Sequence, residues 1–279
     1  SPTMNNMTLA QLKRTARDKM DSSYPGGIGA VLRGALLYLL LTNWVSLLVS
    51  LIQSNPLDAL AVQMQDALST GSPAALSGVL QSVPGLFQPP LAKAALFLSI
   101  LVFLYTLVMD FGYSGYALDL YRGEQPGYGD LFSRFYLGGK IILLSLLILL
   151  CTYLWSLLFL IPGIVAWYRY RMSRYVLLDH PEMGVFTAWN HSKRMMQGHK
   201  SQLFLVDLSF LLWMVAAYLA TIMANYLLLT AGLPQMAAYL LSEVVFTAFY
   251  VYLTPYMELT VVGFYHMICP AELLPGSQP

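Results

Sequence analysis

The sequence predicts an all-α fold: a polytopic membrane helix bundle of about six transmembrane helices flanked by amphipathic surface helices. Composition is the first reason. Of 279 residues, 57% are hydrophobic and only 10% charged, whereas a soluble domain carries about 25% charged residues; the mean hydropathy is +0.60. The second reason is that apolar runs of the roughly 20 residues needed to span a bilayer recur along the chain. The third is that lysines and arginines concentrate in alternate connections, the pattern of the positive-inside rule.

Ser1-Pro2-Thr3, ahead of Met4, reads as an expression remnant. Residues 4–29 are expected to hold an amphipathic helix on the cytoplasmic leaflet. Thr8 followed by Gln11 is a capping-box pattern, and Leu9, Leu12, Ala16 and Met20 recur at helical spacing opposite Lys13, Arg17 and Lys19. The first 27 residues are polar, which speaks against a cleavable signal peptide. Gly26-Gly27-Ile28-Gly29 lacks the strand before it and the Lys-Ser/Thr after it that a phosphate loop needs, and is expected to be a flexible joint.

A single transmembrane domain follows over 31–268, with spans near 31–52, 91–118, 140–161, 162–179, 203–229 and 236–268. The 53–90 stretch is an extracytoplasmic loop without cations before Lys93; within it Pro56 opens a helix with Leu57, Leu60, Ala61, Met64 and Leu68 on one stripe. Ile161-Pro162-Gly163 marks a helix boundary. The cations Lys13, Arg14, Arg17, Lys19, Arg33, Arg122, Arg134, Lys140, Lys193, Arg194 and Lys200 belong on one face. Both termini, including the 269–279 tail, are then cytoplasmic, and 162–179 must return the chain, either as a sixth crossing or as a re-entrant hairpin. Residues 180–202 form a cytoplasmic interfacial helix opened by Pro181 and Glu182, with Val185, Phe186, Trp189 and Met196 on one face. Lys193, Arg194, Lys200 and Trp189 are its lipid-interface residues, suited to anionic lipid or to ordinary anchoring.

Several strings resemble a known family: Asp130-Leu131-Phe132-Ser133-Arg134-Phe135, Leu158 through Pro162-Gly163-Ile164, the Ser192 to Gly198-His199-Lys200 stretch, Pro255-Tyr256-Met257-Glu258 and the opening Leu12-Lys13 to Lys19 segment. Together they resemble the bacterial integral membrane proteins of domain-of-unknown-function family 975. The resemblance implies a bacterial, Gram-positive-type, polytopic protein of about six helices in the cytoplasmic membrane, and implies no reaction. Tyr24 stands where the family pattern leads one to expect tryptophan.

Charge inside apolar spans is the strongest anomaly, because each ionised group at a helix centre costs about 2.5–3.5 kcal/mol on insertion scales. Counted back from Asp179, Arg174 lies roughly 7 Å deep, and Arg171 and Arg169 roughly 12 and 15 Å. Asp110, Asp207 and Glu258 fall in the cytoplasmic halves of their own helices. These six are expected to form one ligand-binding cluster facing a cytoplasmic cavity, or a set of ion pairs that only fixes packing. Glu243 stands apart on the outer half of the last span. The aromatic residues, among them Trp44, Trp155, Trp167, Tyr168, Tyr170 and Tyr175, suit interfacial belts, with Tyr168 and Tyr170 as alternatives for lining the cavity.

Other chemistry finds little support. Gly112-Tyr113-Ser114-Gly115 matches the G-x-S-G string of intramembrane serine proteases and His266 sits at a comparable level, but small residues at 112, 114 and 115 more simply permit close helix packing. His180, His191 and His199 form no metal motif, Cys151 and Cys269 form no disulfide framework, and no cofactor motif is present. The net charge of +1 offers no field for nucleic acid. The expected function is therefore non-enzymatic binding of an anionic lipid or amphiphile. A secondary transporter or channel is the alternative suggested by the breaks at Pro162-Gly163 and Pro255, and a structural or accessory envelope protein is the third. Membrane lipids, a second copy or another membrane protein are the expected partners.

Overall fold

The computed structural model describes residues 7–22, 26–52, 56–87 and 90–275; residues 1–3, where a remnant is expected, Tyr24 and the last four tail residues lie outside the described residues. Among those residues the chain is helical throughout, without strands. Five helical stretches are long and apolar enough to cross a membrane: Gly27–Leu51, Lys93–Tyr121, Tyr128–Leu158, Lys200–Thr230 and Gln235–Ile268. The protein is thus an all-α membrane protein. It divides into two compact units, residues 1–39 with 108–279, and residues 40–107.

The smaller unit begins with a π-helical turn, Leu40–Trp44, continued by α3 (Val45–Ile52). Such a turn displaces a backbone carbonyl from the regular ladder, and Tyr105 donates its hydroxyl proton to the Leu41 carbonyl at 2.8 Å. Helices α4 (Pro56–Thr70) and α5 (Pro73–Ser82) pack on each other. Ala67 and Val79 are buried, while Met64 and Leu68 of the expected stripe are exposed.

The larger unit carries the remaining helices: α1 (Leu9–Asp21), α2 (Gly27–Leu39), the last part of α6 (Pro90–Tyr121), α7 (Gly138–Leu158), α8 (Leu160–Tyr170), α9 (Ser173–Asp179), α10 (Val185–Met195), α11 (Lys200–Thr230) and α12 (Gln235–Ile268). The capping box at the start of α1 forms in both directions: the Thr8 amide donates to Gln11 Oε1 at 2.8 Å, and the Gln11 amide to Thr8 Oγ1 at 3.3 Å. Its apolar stripe does not lie free for a leaflet. Leu12, Ala16 and Met20 are buried, because α1 packs on α12, α2 and α11. The expected glycine joint is also more ordered than its composition implies, since Gly27 to Gly29 already belong to α2.

Residues 162–179 are not one helix. The break expected at Pro162-Gly163 falls earlier, at the extended Phe159, so that Pro162 sits inside the first turn of α8, where its missing amide proton costs nothing. Gly163 lies against α7 so closely that a Cβ there would collide with the Ser156 side chain. Helix α8 is about 16 Å long at 1.5 Å per residue and ends at Arg171, and α9 starts two residues later. Ser192 of α10, fully buried, bridges the gap: its hydroxyl donates to the Arg169 carbonyl at 2.9 Å and accepts from the Met172 amide at 3.1 Å. Tyr170 stacks on Trp189 of α10 at 4.7 Å, which closes the same junction.

Helix α10 starts at Val185 rather than at Pro181, after a turn in which the Met183 amide donates to the His180 carbonyl. Its buried face is Val185, Ala188, Ser192 and Met195, while Phe186 is 60% exposed. Helix α12 runs without interruption through Pro255, although proline removes a ladder bond there; α1 and α11 pack along it.

Ser192→Ala leaves the Met172 amide buried without its acceptor, which costs about 1–3 kcal/mol. Thermal unfolding in detergent is expected to register this loss, and an unchanged midpoint would show that α10 does not stabilise the α8–α9 break.

Candidate functional site

The six predicted charges lie in the larger unit but do not form one set of ion pairs. Arg171, at the α8–α9 break, pairs with Asp207 of α11, with side chains 24% and 33% exposed. Tyr168, one turn earlier on α8, donates to the same carboxylate at 2.6 Å and holds its ring 5.7 Å from the Arg171 guanidinium. This pair is the only one formed within the predicted set, among the described residues.

Arg174 of α9 behaves differently. One of its nitrogens, Nη1, donates to Ser114 Oγ of α6 at 3.1 Å, and its guanidinium rests 4.7 Å from the centre of the Phe111 ring. Asp110 lies within Coulombic reach of both Glu258 and Arg174, yet no carboxylate comes within 4.0 Å of that guanidinium among the described residues. Both acids are satisfied by phenols instead. Tyr38 of α2, itself stacked on Tyr113 at 4.4 Å, donates to Asp110, and Tyr175 of α9 donates to Glu258 Oε1 at 2.7 Å. Arg169 is half-buried; its carbonyl serves Ser192, and its guanidinium makes no ion pair among the described residues. Glu243 likewise makes no ion pair among them.

Of the expected interface residues, Lys193 and Arg194 are exposed on α10 and Lys200 is half-buried at the start of α11. Trp189 is half-buried in protein against Tyr170, and its indole nitrogen is buried without a hydrogen-bond acceptor among the described residues.

A second network lies where α6, α9 and α12 end. Arg122 grips Asp179 through two parallel bonds of 2.7 and 2.8 Å, and Tyr265 of α12 adds a third donor at 2.8 Å; the Asp179 side chain is only 3% exposed. Arg122 Nε also donates to His266 Nε2 at 3.1 Å, while His266 Nδ1 donates to the Val262 carbonyl at 2.9 Å. Both imidazole nitrogens are therefore committed, and Ser114 serves Arg174, so the serine–histidine pair weighed for proteolysis is not assembled. The small residues of that string serve close packing: a Cβ at Gly112 would strike the Leu131 carbonyl, and one at Gly115 would meet the Arg134 guanidinium at 2.8 Å. Arg134 in turn pairs with Asp119 at 3.1 Å.

The sequence carries a signal for this network in its topology. Arg122 closes one apolar run and Asp179 closes another, so two opposite charges had already been assigned to one level. Lys140 Nζ donates to the Pro181 and Met183 carbonyls at 2.6 and 3.1 Å, which fixes the start of α7 and the segment after α9 at the same end. Helix α7 and the α8–α9 segment therefore run out and back as a hairpin.

Cys269, just past α12, is buried, and that burial pushes its thiol up to about 11 even though Tyr265 hydrogen-bonds to it. Such a thiol holds little thiolate at neutral pH.

Residues 157–272 match the model of a family described as Protein of unknown function (DUF975). No curated protein and no solved structure matches the chain significantly.

Asp179→Asn breaks the buried pair and leaves the Arg122 charge uncompensated, a change that costs about 3–5 kcal/mol; a variant that unfolds with the wild type would deny this network a structural role. Alkylation of Cys269 at pH 8 is expected to run on the order of 100-fold slower than that of an ordinary exposed thiol, and mass spectrometry of tryptic peptides over time measures it directly.

Proposed function

We propose that this chain, whose residues 157–272 match the DUF975 model, binds the anionic headgroup of a lipid or similar amphiphile at Arg174 and carries out no reaction of its own. The observation that carries this reading is the division of labour among the six charges. Arg171 spends its charge on Asp207. Asp110 and Glu258 receive hydrogen bonds from tyrosines, and Arg174 gives one of its five donor hydrogens to Ser114 and none to a carboxylate among the described residues. A guanidinium backed by an aromatic ring and short of acceptors suits a phosphate or carboxylate that binds through two parallel bonds.

The same reading places the protein as a multi-pass component of a bacterial cytoplasmic membrane with both termini inside. Supporting that orientation, cations from separate predicted inside segments gather at one end of the larger unit. Lys19 lies 5.2 Å from the Tyr121 ring, Arg33 Nε donates to the Tyr128 hydroxyl at 3.0 Å, and Arg122 and Lys140 hold residues 179–183 beside them. The return of the chain along α8 and α9 to that end supports a sixth crossing made of two helices.

Native mass spectrometry of protein taken from mild detergent, titrated with phosphatidylglycerol and with phosphatidylcholine, tests the binding. Arg174→Gln is expected to weaken phosphatidylglycerol binding by at least about tenfold, or 1.4 kcal/mol, with phosphatidylcholine unaffected. Undiminished binding by a folded Arg174→Gln protein would leave the charges with a packing role alone, and movement of the anion across proteoliposomes would make the protein a transporter.

A further inference from the structure

Helix α1 brings a separate group of donors together. Burial of Leu12, Ala16 and Met20 fixes the helix against the bundle, and Lys13 and Arg17, four residues apart, share one side of it. Lys13 Nζ lies 4.3 Å from the Phe210 ring of α11 and 5.6 Å from the Tyr256 ring of α12. Arg17 Nη1 donates to the Tyr256 hydroxyl at 3.1 Å. Tyr256 is only 8% exposed, and its own hydroxyl proton meets no acceptor among the described residues. No carboxylate comes within 4.0 Å of Lys13 or Arg17 among those residues. An ammonium, a guanidinium and a phenol thus converge on one place that holds donors and no acid.

We propose that Lys13, Arg17 and Tyr256 form a second anion site, built for a phosphate-bearing group. The chemistry follows from the donor set: two cations balance a singly or doubly charged phosphate, the guanidinium offers paired N–H groups, and the phenol offers one O–H to a third oxygen. The Phe210 and Tyr256 rings keep water from one side and hold Lys13 by its cation–π contact. Burial, together with the Coulombic effect of Arg17, holds the Lys13 ammonium below its ordinary lysine pKa, the mark of a cation kept near another cation without compensation. The site is distinct from Arg174, because Tyr256 and Glu258, two residues apart, leave α12 on nearly opposite sides, roughly 200° apart.

The titratable groups facing Lys13 are Arg17 on its own helix and Tyr256 on α12, with Tyr252 behind the latter in edge-on ring contact; α11 presents the uncharged Phe210. Only the protonated amine binds an anion. Lys13 has a lowered folded value, so affinity is full below that value and falls as pH rises through it, earlier than an ordinary lysine allows.

Isothermal titration of the full chain in detergent with water-soluble dihexanoyl-phosphatidylglycerol, and separately with inorganic phosphate, tests the site. The double variant Lys13→Gln/Arg17→Gln is expected to lose at least 30-fold in affinity at this site and Tyr256→Phe several-fold. In Lys13→Arg binding survives and its decline at alkaline pH disappears, a readout that simple loosening of α1 does not produce. Binding of the lipid alone assigns the site to a headgroup, and equal competition by phosphate assigns it to a soluble phosphate compound; either result supports the site. Binding lost in Arg174→Gln but intact in the Lys13/Arg17 double variant overturns this proposal and leaves the first site standing. The reverse pattern overturns the first site and keeps this one. Binding by no form of the protein overturns both.

Discussion

The bidentate pair between Arg122 and Asp179 is the interaction on which the larger unit depends. An acid that is 3% exposed cannot keep its charge without donors, and here all three donors come from outside its own helix: two from Arg122 beyond α6 and one from Tyr265 of α12. Satisfying Asp179 therefore fixes the ends of three helices against one another. The register of α9 follows. Tyr175, one turn before Asp179 and on the same face, is brought to Glu258 of α12, while Tyr265 of α12 comes back to Asp179. The two helices exchange tyrosine–carboxylate bonds with the roles reversed, and the two rings lie 5.3 Å apart between them.

Tyrosine is the recurrent partner of acids in this unit: Tyr38 with Asp110, Tyr168 with Asp207, Tyr175 with Glu258 and Tyr265 with Asp179. A phenol packs its ring as an apolar body and presents one directed donor, so it can satisfy a carboxylate within an apolar bundle without introducing another charge. This choice has an electrostatic consequence. Asp207 and Asp179 take an arginine besides their phenol, but Asp110 and Glu258 are each met by a phenol without an ion pair among the described residues, so Arg174 is not consumed by either. Were the bundle held only by arginine–carboxylate pairs, equal numbers of each would cancel and no donor would remain for a ligand.

The fold class was legible because hydropathy and cation placement are properties of the linear chain. Five of the six expected runs became long helices, and the capping box at Thr8 formed as its spacing implies. The sixth run was harder. Nothing local in Arg171-Met172 ends a helix; the break is stabilised by Ser192, twenty residues further on, and by Trp189, a residue the sequence assigns to the lipid interface. The same ambiguity hid the tyrosines. A phenol at a membrane boundary and one that donates to a buried acid differ only in which face of a helix they occupy, and hydropathy does not report faces. Pro255 misled in the opposite direction, since a proline that breaks an isolated helix is tolerated when neighbouring helices hold it.

Helix α1 shows how this ambiguity bears on function. Its sequence has an apolar stripe and a basic side, which is also the description of a helix that lies on an anionic leaflet. What decides between leaflet and protein is whether the bundle offers a surface of matching shape. The α12 helix does: α1 packs along it, and Tyr256, in ring contact with Phe210 of α11, takes the Arg17 guanidinium while Phe210 takes the Lys13 ammonium. Cations that would have been dispersed over many headgroups are thereby held at fixed positions, Arg17 on the Tyr256 hydroxyl and Lys13 over the neighbouring rings. A dispersed set senses surface potential, whereas a fixed set can discriminate one anion from another, and that difference turns an anchoring helix into part of a binding site.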